Sequence, residues 1–265
     1  MPISKVYDSS NFRELIGDGT RVQGGGEWRL LSAVPRPIGR LCGAPFGSQI
    51  PLIPRANWST LIKLQKAKRR RISDFQTFAP HDQNGLPTCW ANGPAHAFTT
   101  MRVIQGLPLV YMSACSAAVP ISGGHSGGNE ADAGDWSVEH GWASQAVWAN
   151  NDTTRSLNSS PAVIESRTHH TAPLILDLGS NFDAYATAAL LELPFAVAFN
   201  WWSHVISGGD LVELSPGKFG IMYRNNWGNW GDKNDSGQPG YVTMAEGRGT
   251  PDSGFAYIQT LASAA

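Results

Sequence analysis

The chain has 265 residues, 42% of them hydrophobic and 15% charged, with a formal net charge of -1. This length and apolar content exclude a disordered chain and allow a buried core, and the near-zero charge excludes a general attraction to nucleic acid or an anionic membrane. Three cysteines, Cys42, Cys89 and Cys115, leave at least one sulfur unpaired and exclude a disulfide framework, which fits a reducing compartment.

The chain start, Met1 to Asp8, has neither the basic nor the apolar segment of a secretory signal. No apolar run approaches the ~20 residues of a membrane helix. The expected location is therefore cytoplasmic or virion-associated. Residues 1–49 read as an N-terminal extension or docking arm, and residues 50–265 as the main domain. Gly17, Gly19, Gly24 to Gly26, Pro35, Pro37 and Pro45 break the arm, and no helical period is sustained there. It is expected to wrap the main domain or to dock on a protein partner. Lys63 to Arg71 carries six basic residues in nine, read as a solvated face or, alternatively, as a patch for an acidic partner.

Residues 89–105 predict a helix that ends before Gly106. Glycine inside a helix costs about 1 kcal/mol and proline about 3, so Gly93 and Pro94 predict a late start or a kink. A second helix is predicted over residues 132–149, with Trp136, Trp142 and Trp148 on apolar faces. Residues 150–172 read as polar and irregular. A strand at 173–178 and a helix at 181–191 follow. Strand character then returns at 195–199, 211–214, 220–224 and 240–244, with turn residues between. Helices in the first half and antiparallel strands in the second make an α+β layout.

The chemistry-bearing residues come in a fixed order. Cys89 stands at the predicted start of a helix, where free backbone N–H groups favour a thiolate. His204 lies in the strand-rich half, so a site using both is a cleft between the halves. Asn225 is suited to hold the imidazole towards the sulfur, and Trp227 to shield that hydrogen bond from water. The Gln83 amide, with the Cys89 backbone N–H, is placed to hold an oxyanion. His96, two turns along from Cys89, is read as a packing residue, as are Cys42 and Cys115. No set of ligands with metal spacing is found, and no cofactor is implied.

These motifs together resemble the papain-like cysteine peptidases. Gln83 to Trp90 matches the family's Gln-x5-Cys-Trp, and Asn225-Asn226-Trp227-Gly228 matches its Asn-Ser-Trp-Gly. Trp230-Gly231, Gly240 to Thr243, and Ile53 to Trp58 at the start of the domain extend the similarity over roughly residues 50–260. The resemblance implies a two-subdomain fold, with a helical left half, an antiparallel β-barrel-like right half and an interdomain active-site cleft. It implies hydrolysis of peptide or isopeptide bonds in a polypeptide substrate, with Cys89, His204, Asn225 and Gln83 as catalytic residues. Gly127 and Gly128, which echo the family's glycine segment, and Trp227 are the implied substrate contacts. Leu86 stands where the family usually has a disulfide cysteine, and Cys115 resembles the partner left over. The arm does not resemble the long helical propeptide of secreted relatives. Two rival readings stand beside hydrolysis: a structural component of a larger assembly, such as a viral particle, that keeps the scaffold, and an acyl transferase that uses the same nucleophile.

Overall fold

A computed structural model describes residues 5–12, 14, 21–24, 27–30 and 32–258. Gly17, Gly19, Gly25 and Gly26 of the expected arm lie outside the described residues. Among the described residues the strands are β1 (Val6–Tyr7), β2 (Arg21–Gly24), β3 (Glu27–Leu30), β4 (Ala44–Pro45), β5 (Ile175–Asp177), β6 (Phe195–Phe199), β7 (His204–Ser215), β8 (Lys218–Arg224), β9 (Tyr241–Ala245) and β10 (Ser253–Tyr257). β2 and β3 pair with each other, and the other eight form one sheet in the order β1-β9-β8-β7-β6-β10-β5-β4. The fold is α+β.

β6 shows how the sequence sets the layers. Its five residues are all buried, and alternate side chains enter different clusters. Phe195, Val197 and Phe199 face a core with Trp58, Phe182 and Tyr185. Ala196 and Ala198 face a second core with Trp90, Phe98, Met101 and Trp142. A short apolar run covered on both faces reads as a continuous hydrophobic stretch, and the small alanines let a helix approach the sheet.

That helix is Cys89–Ile104. It begins at Cys89 and runs through Pro94, so the expected late start does not occur. Gly93 has a packing reason: a Cβ there would stand 3.0 Å from the backbone carbon and oxygen of Ile206 in β7. The glycine lets the first two turns of the helix lie directly on the strand that begins with His204.

Two expectations are corrected. The helix predicted over 132–149 is Glu130–Glu139. It ends because Gly141 takes φ +75, with its Cβ position 2.3 Å from the Arg167 carbonyl oxygen, and Trp142 and Trp148 are buried from loops instead. The stretch read as irregular contains a 3-10 turn, Arg155–Ser159, and a helix, Pro161–Thr168, which proline opens at its first position. In the basic run, Arg70 pairs with Glu192, and Arg71 with Asp74 and Asp235. These arginines are engaged within the chain. Leu86 packs against the small cluster that holds Cys115, so an apolar contact joins the two positions at which the sequence departs from the family's usual disulfide. All three cysteines are free and buried.

Residues 32–45 form a strap across the molecule. Ala33 makes a parallel bridge with Gly128, and β4 pairs in parallel with β5 at the sheet edge. Between them, Arg36 pairs with Glu130 at 2.6 Å and with Asp177. The exposures of those three side chains are 6%, 0% and 4%. Ser253 donates to Glu130 at 2.6 Å and the Cys42 backbone N–H to Asp177 at 2.7 Å. Buried charges are tolerated only when paired and hydrogen-bonded in this way. No helix among the described residues is long and apolar enough to cross a membrane.

Candidate active site

Cys89 is the first residue of its helix, after Thr88 at the N-cap. Its sulfur faces backbone groups of Val205, Ser32 and Trp90, which favour the thiolate, but burial outweighs them and pushes the thiol above its ordinary value. The Ser32 hydroxyl stands 3.4 Å from the sulfur, and Cys89 is fully buried.

His204 opens β7 directly after Ser203, which takes φ +49. A non-glycine residue in the left-handed region is uncommon, and here it turns the chain from Trp202 into the strand. The imidazole packs against two indoles, 4.8 Å from the Trp202 ring and 4.7 Å from the Trp227 ring, which also touch each other at 5.5 Å. Its Nε2 is 2.8 Å from Asn225 Oδ1.

The tautomer follows from the neighbours. The Asn226 backbone N–H donates to Asn225 Oδ1 at 2.8 Å, so that atom is the oxygen of the amide and an acceptor. Nε2 must then carry the proton it donates, and Nδ1 keeps its lone pair. Nδ1 has no hydrogen-bond partner among the described residues. Burial holds the imidazole down to about 4, against an upward pull from the amides of Asn225 and Asn226. Burial thus disfavours the charged form of both groups.

Gln83 reaches the site through a short bridge. Asp82 pairs antiparallel with Trp227. The Gln83 N–H donates to the Asn226 carbonyl at 3.0 Å, and the Gly228 N–H to the His81 carbonyl at 3.1 Å. The Gln83 side chain donates to the Leu86 carbonyl at 2.8 Å and accepts from Trp227 Nε1 at 3.2 Å. Trp227 therefore covers the His204–Asn225 pair and orients Gln83 at the same time.

Gly127 and Gly128 lie under the strap. The Val34 N–H donates to the Gly128 carbonyl and the Ala33 N–H to the Ser203 carbonyl, both at 2.9 Å. A Cβ on Gly127 would stand 2.0 Å from the Ser32 carbonyl oxygen, and one on Gly128 2.6 Å from the Trp90 ring. Glycine is required at both for this close approach. His96 stacks on His81 at 4.9 Å, buried in the core. Sequence reasoning missed two participants. Ser32 and Ala33 carry no local signal in a Gly/Pro-rich stretch.

No family model matches the sequence, and no curated protein matches it. Solved structures do match the fold. Xylellain, a cysteine protease from Xylella fastidiosa, superposes with a TM-score of 0.59 over 89% of this chain and 97% of its own, at 13% identity. Procathepsin B S9 from Trypanosoma congolense gives 0.56 over 94% and 96%, at 17% identity. Digestive procathepsin L 3 from Tenebrio molitor larval midgut gives 0.55 over 68% and 66%, at 15% identity. The fold is papain-like.

Proposed function

We propose that this papain-like fold carries a latent thiol-dependent hydrolase, which cleaves peptide or isopeptide bonds through an acyl-enzyme on Cys89. One observation carries the reading. His204 commits Nε2 to Asn225 at 2.8 Å and leaves Nδ1 unpartnered, on a strand whose next residue, Val205, meets the Cys89 sulfur. A general base whose tautomer is fixed by an amide beside a thiol at a helix N-terminus is the arrangement nucleophilic catalysis needs.

In this reading Cys89 passes its proton to His204 Nδ1 and the sulfur attacks the carbonyl carbon. The carbonyl electron pair moves onto oxygen, held by the Cys89 backbone N–H and the Gln83 amide. The intermediate collapses, the C–N bond breaks, and the leaving amine takes the proton from Nδ1. Water then gives a proton to the same nitrogen, attacks the thioester and releases the acid and the free thiol. Substrate backbone takes the Gly128 carbonyl that Val34 now occupies, and Gly127 leaves room beside it. Trp227 keeps water from the His204–Asn225 pair.

The complete burial of Cys89 beneath Ser32 favours a second reading, a structural component of a larger assembly that retains the scaffold. The separating experiment incubates the full chain, and a variant with the strap released, with a peptide library. Turnover by the released protein that vanishes in Cys89→Ala supports the hydrolase. Equal turnover in both, or none after release, rejects it. An amine acceptor in the same assay distinguishes transfer from hydrolysis.

A further inference from the structure

Asn226 touches three of the four residues assigned above, Asn225, Gln83 and Cys89, and the Val205 that follows the fourth. Its backbone N–H fixes Asn225 Oδ1 at 2.8 Å, and its carbonyl accepts from the Gln83 N–H at 3.0 Å. Its side-chain Nδ2 donates to the Cys89 carbonyl at 3.4 Å and to the Val205 carbonyl at 3.3 Å. Two carbonyls facing one atom identify it as the nitrogen of the amide. Its Oδ1 is buried and has no hydrogen-bond partner among the described residues. The main-chain contacts survive any substitution that keeps the backbone, but the bridge from Cys89 to Val205 is made by this side chain.

The bridge crosses the boundary on which the chemistry depends. Cys89 belongs to the helix on one face of the sheet and Val205 to the strand that carries His204. Gly93 sets how closely the two elements approach. Asn226 sets where the first turn stops sliding along the strand, because the two carbonyls it holds belong to the nucleophile itself and to the residue after the base. The match to Asn-Ser-Trp-Gly shows why this is particular to the chain: a serine at position 226 has a shorter reach and a single donor, too few for two carbonyls.

Resting on the hydrolase reading, we infer that the Asn226 side chain is a positioning residue, a crosslink that fixes the distance from the Cys89 sulfur to His204 Nδ1. Misplacement by about 1 Å lowers rates by around 10²-fold, so loss of the crosslink acts on proton transfer from sulfur to nitrogen. The groups facing His204 are the Trp202 and Trp227 rings and the Asn225 and Asn226 amides, and the Ser32 hydroxyl faces the Cys89 sulfur. The Asn226 amide also favours the protonated ring.

The test is iodoacetamide alkylation of Cys89 in the full chain with the strap opened by Arg36→Ala, resolved by mass spectrometry from pH 6 to pH 10, for this parent with wild-type Asn226 and for Asn226→Ala, Asn226→Asp and Asn226→Ser added to it. Cys115 serves as the folding reference. The expected result is a 10- to 100-fold loss for Asn226→Ala at pH 6 that shrinks as pH rises and hydroxide replaces the imidazole as base. Asn226→Asp turns an oxygen towards both carbonyls and loses at least as much, and Asn226→Ser falls between alanine and the parent. A parent Cys89 rate that exceeds Cys115 at pH 6 and is unchanged when Asn226→Ala is added overturns the inference alone, as does a loss of equal size at every pH. A strap-opened parent whose Cys89 is no faster than Cys115 at pH 6 overturns the hydrolase reading and the inference with it.

Discussion

Replacing Arg36 with alanine is expected to uncover Cys89 without unfolding the chain. The guanidinium holds two carboxylates, Glu130 and Asp177, whose side chains are 0% and 4% exposed. Removing one partner of a buried pair typically costs about 3–5 kcal/mol, because the remaining charge is stranded. Here the stranded carboxylates keep donors: Ser253 for Glu130, and the Cys42 and Gly179 N–H groups for Asp177. The lower end, about 3 kcal/mol, is therefore the better figure. Arg36 lies four residues from Ser32, so release is expected to begin in the strap rather than in the core. At about 1.4 kcal/mol per tenfold, the open fraction rises by roughly 100-fold. The assay is the alkylation rate of Cys89 by iodoacetamide at pH 8, with Cys115 in the same molecule as reference. Cys115 sits in a separate cluster with Val119 and Trp148, so a local opening leaves it untouched. Equal acceleration of both sulfurs indicates global destabilisation, and no acceleration of either indicates that the strap is not held by this pair; each outcome refutes the argument.

Gly127→Ala provides an opening with a different cause. Its Cβ would meet the Ser32 carbonyl oxygen at 2.0 Å, a backbone atom that cannot rotate aside, so Cys89 alkylation should rise at least ~10-fold with amide protection lost at Ala33 and Val34; unchanged exchange there contradicts it. Gly93→Ala sets a helix-propensity gain of about 1 kcal/mol against overpacking of about 1–3 kcal/mol. Since the contact is Ile206 backbone at 3.0 Å, the packing term should win and the urea midpoint should fall; a rise refutes the close-approach account. Acid should destabilise the fold between about pH 6.5 and 3. His204 at about 4, His81 at about 3 and His96 further below its usual value all lie under the unfolded value of about 6.5. The unfolded chain therefore binds more protons in that window, and stability present above it is lost as pH falls. Asp210, raised by burial to about 6, acts oppositely, losing its contribution as pH rises. Three imidazoles outweigh one carboxyl, so urea midpoints at pH 7.5, 5.5 and 4.5 should decrease in that order; a midpoint that rises on acidification refutes the sign.

The α+β layout was legible because β6 and its neighbours are apolar runs between turn residues, and period and composition carry that information locally. The helix at Cys89 was legible as well, but its survival through Pro94 was not, since the compensation lies in packing against Ile206, more than a hundred residues away. The end of the helix at Glu139 depended on Gly141 meeting the Arg167 carbonyl, a contact that no local window contains. At the site, Cys89, His204, Asn225 and Gln83 were visible as an ordered set of residue types. The covering by Ser32 and Ala33 was invisible, because a β-bridge to Gly128 is a backbone event that leaves no mark on side-chain identity. The part played by Asn226 required knowing which carbonyls its amide meets.

The contact between Leu86 and the Cys115 cluster has a practical consequence. No covalent staple ties the helical half together, so dithiothreitol has nothing to cut. The melting temperature should be the same with and without reductant, and a preparation can be kept strongly reducing without loosening the scaffold.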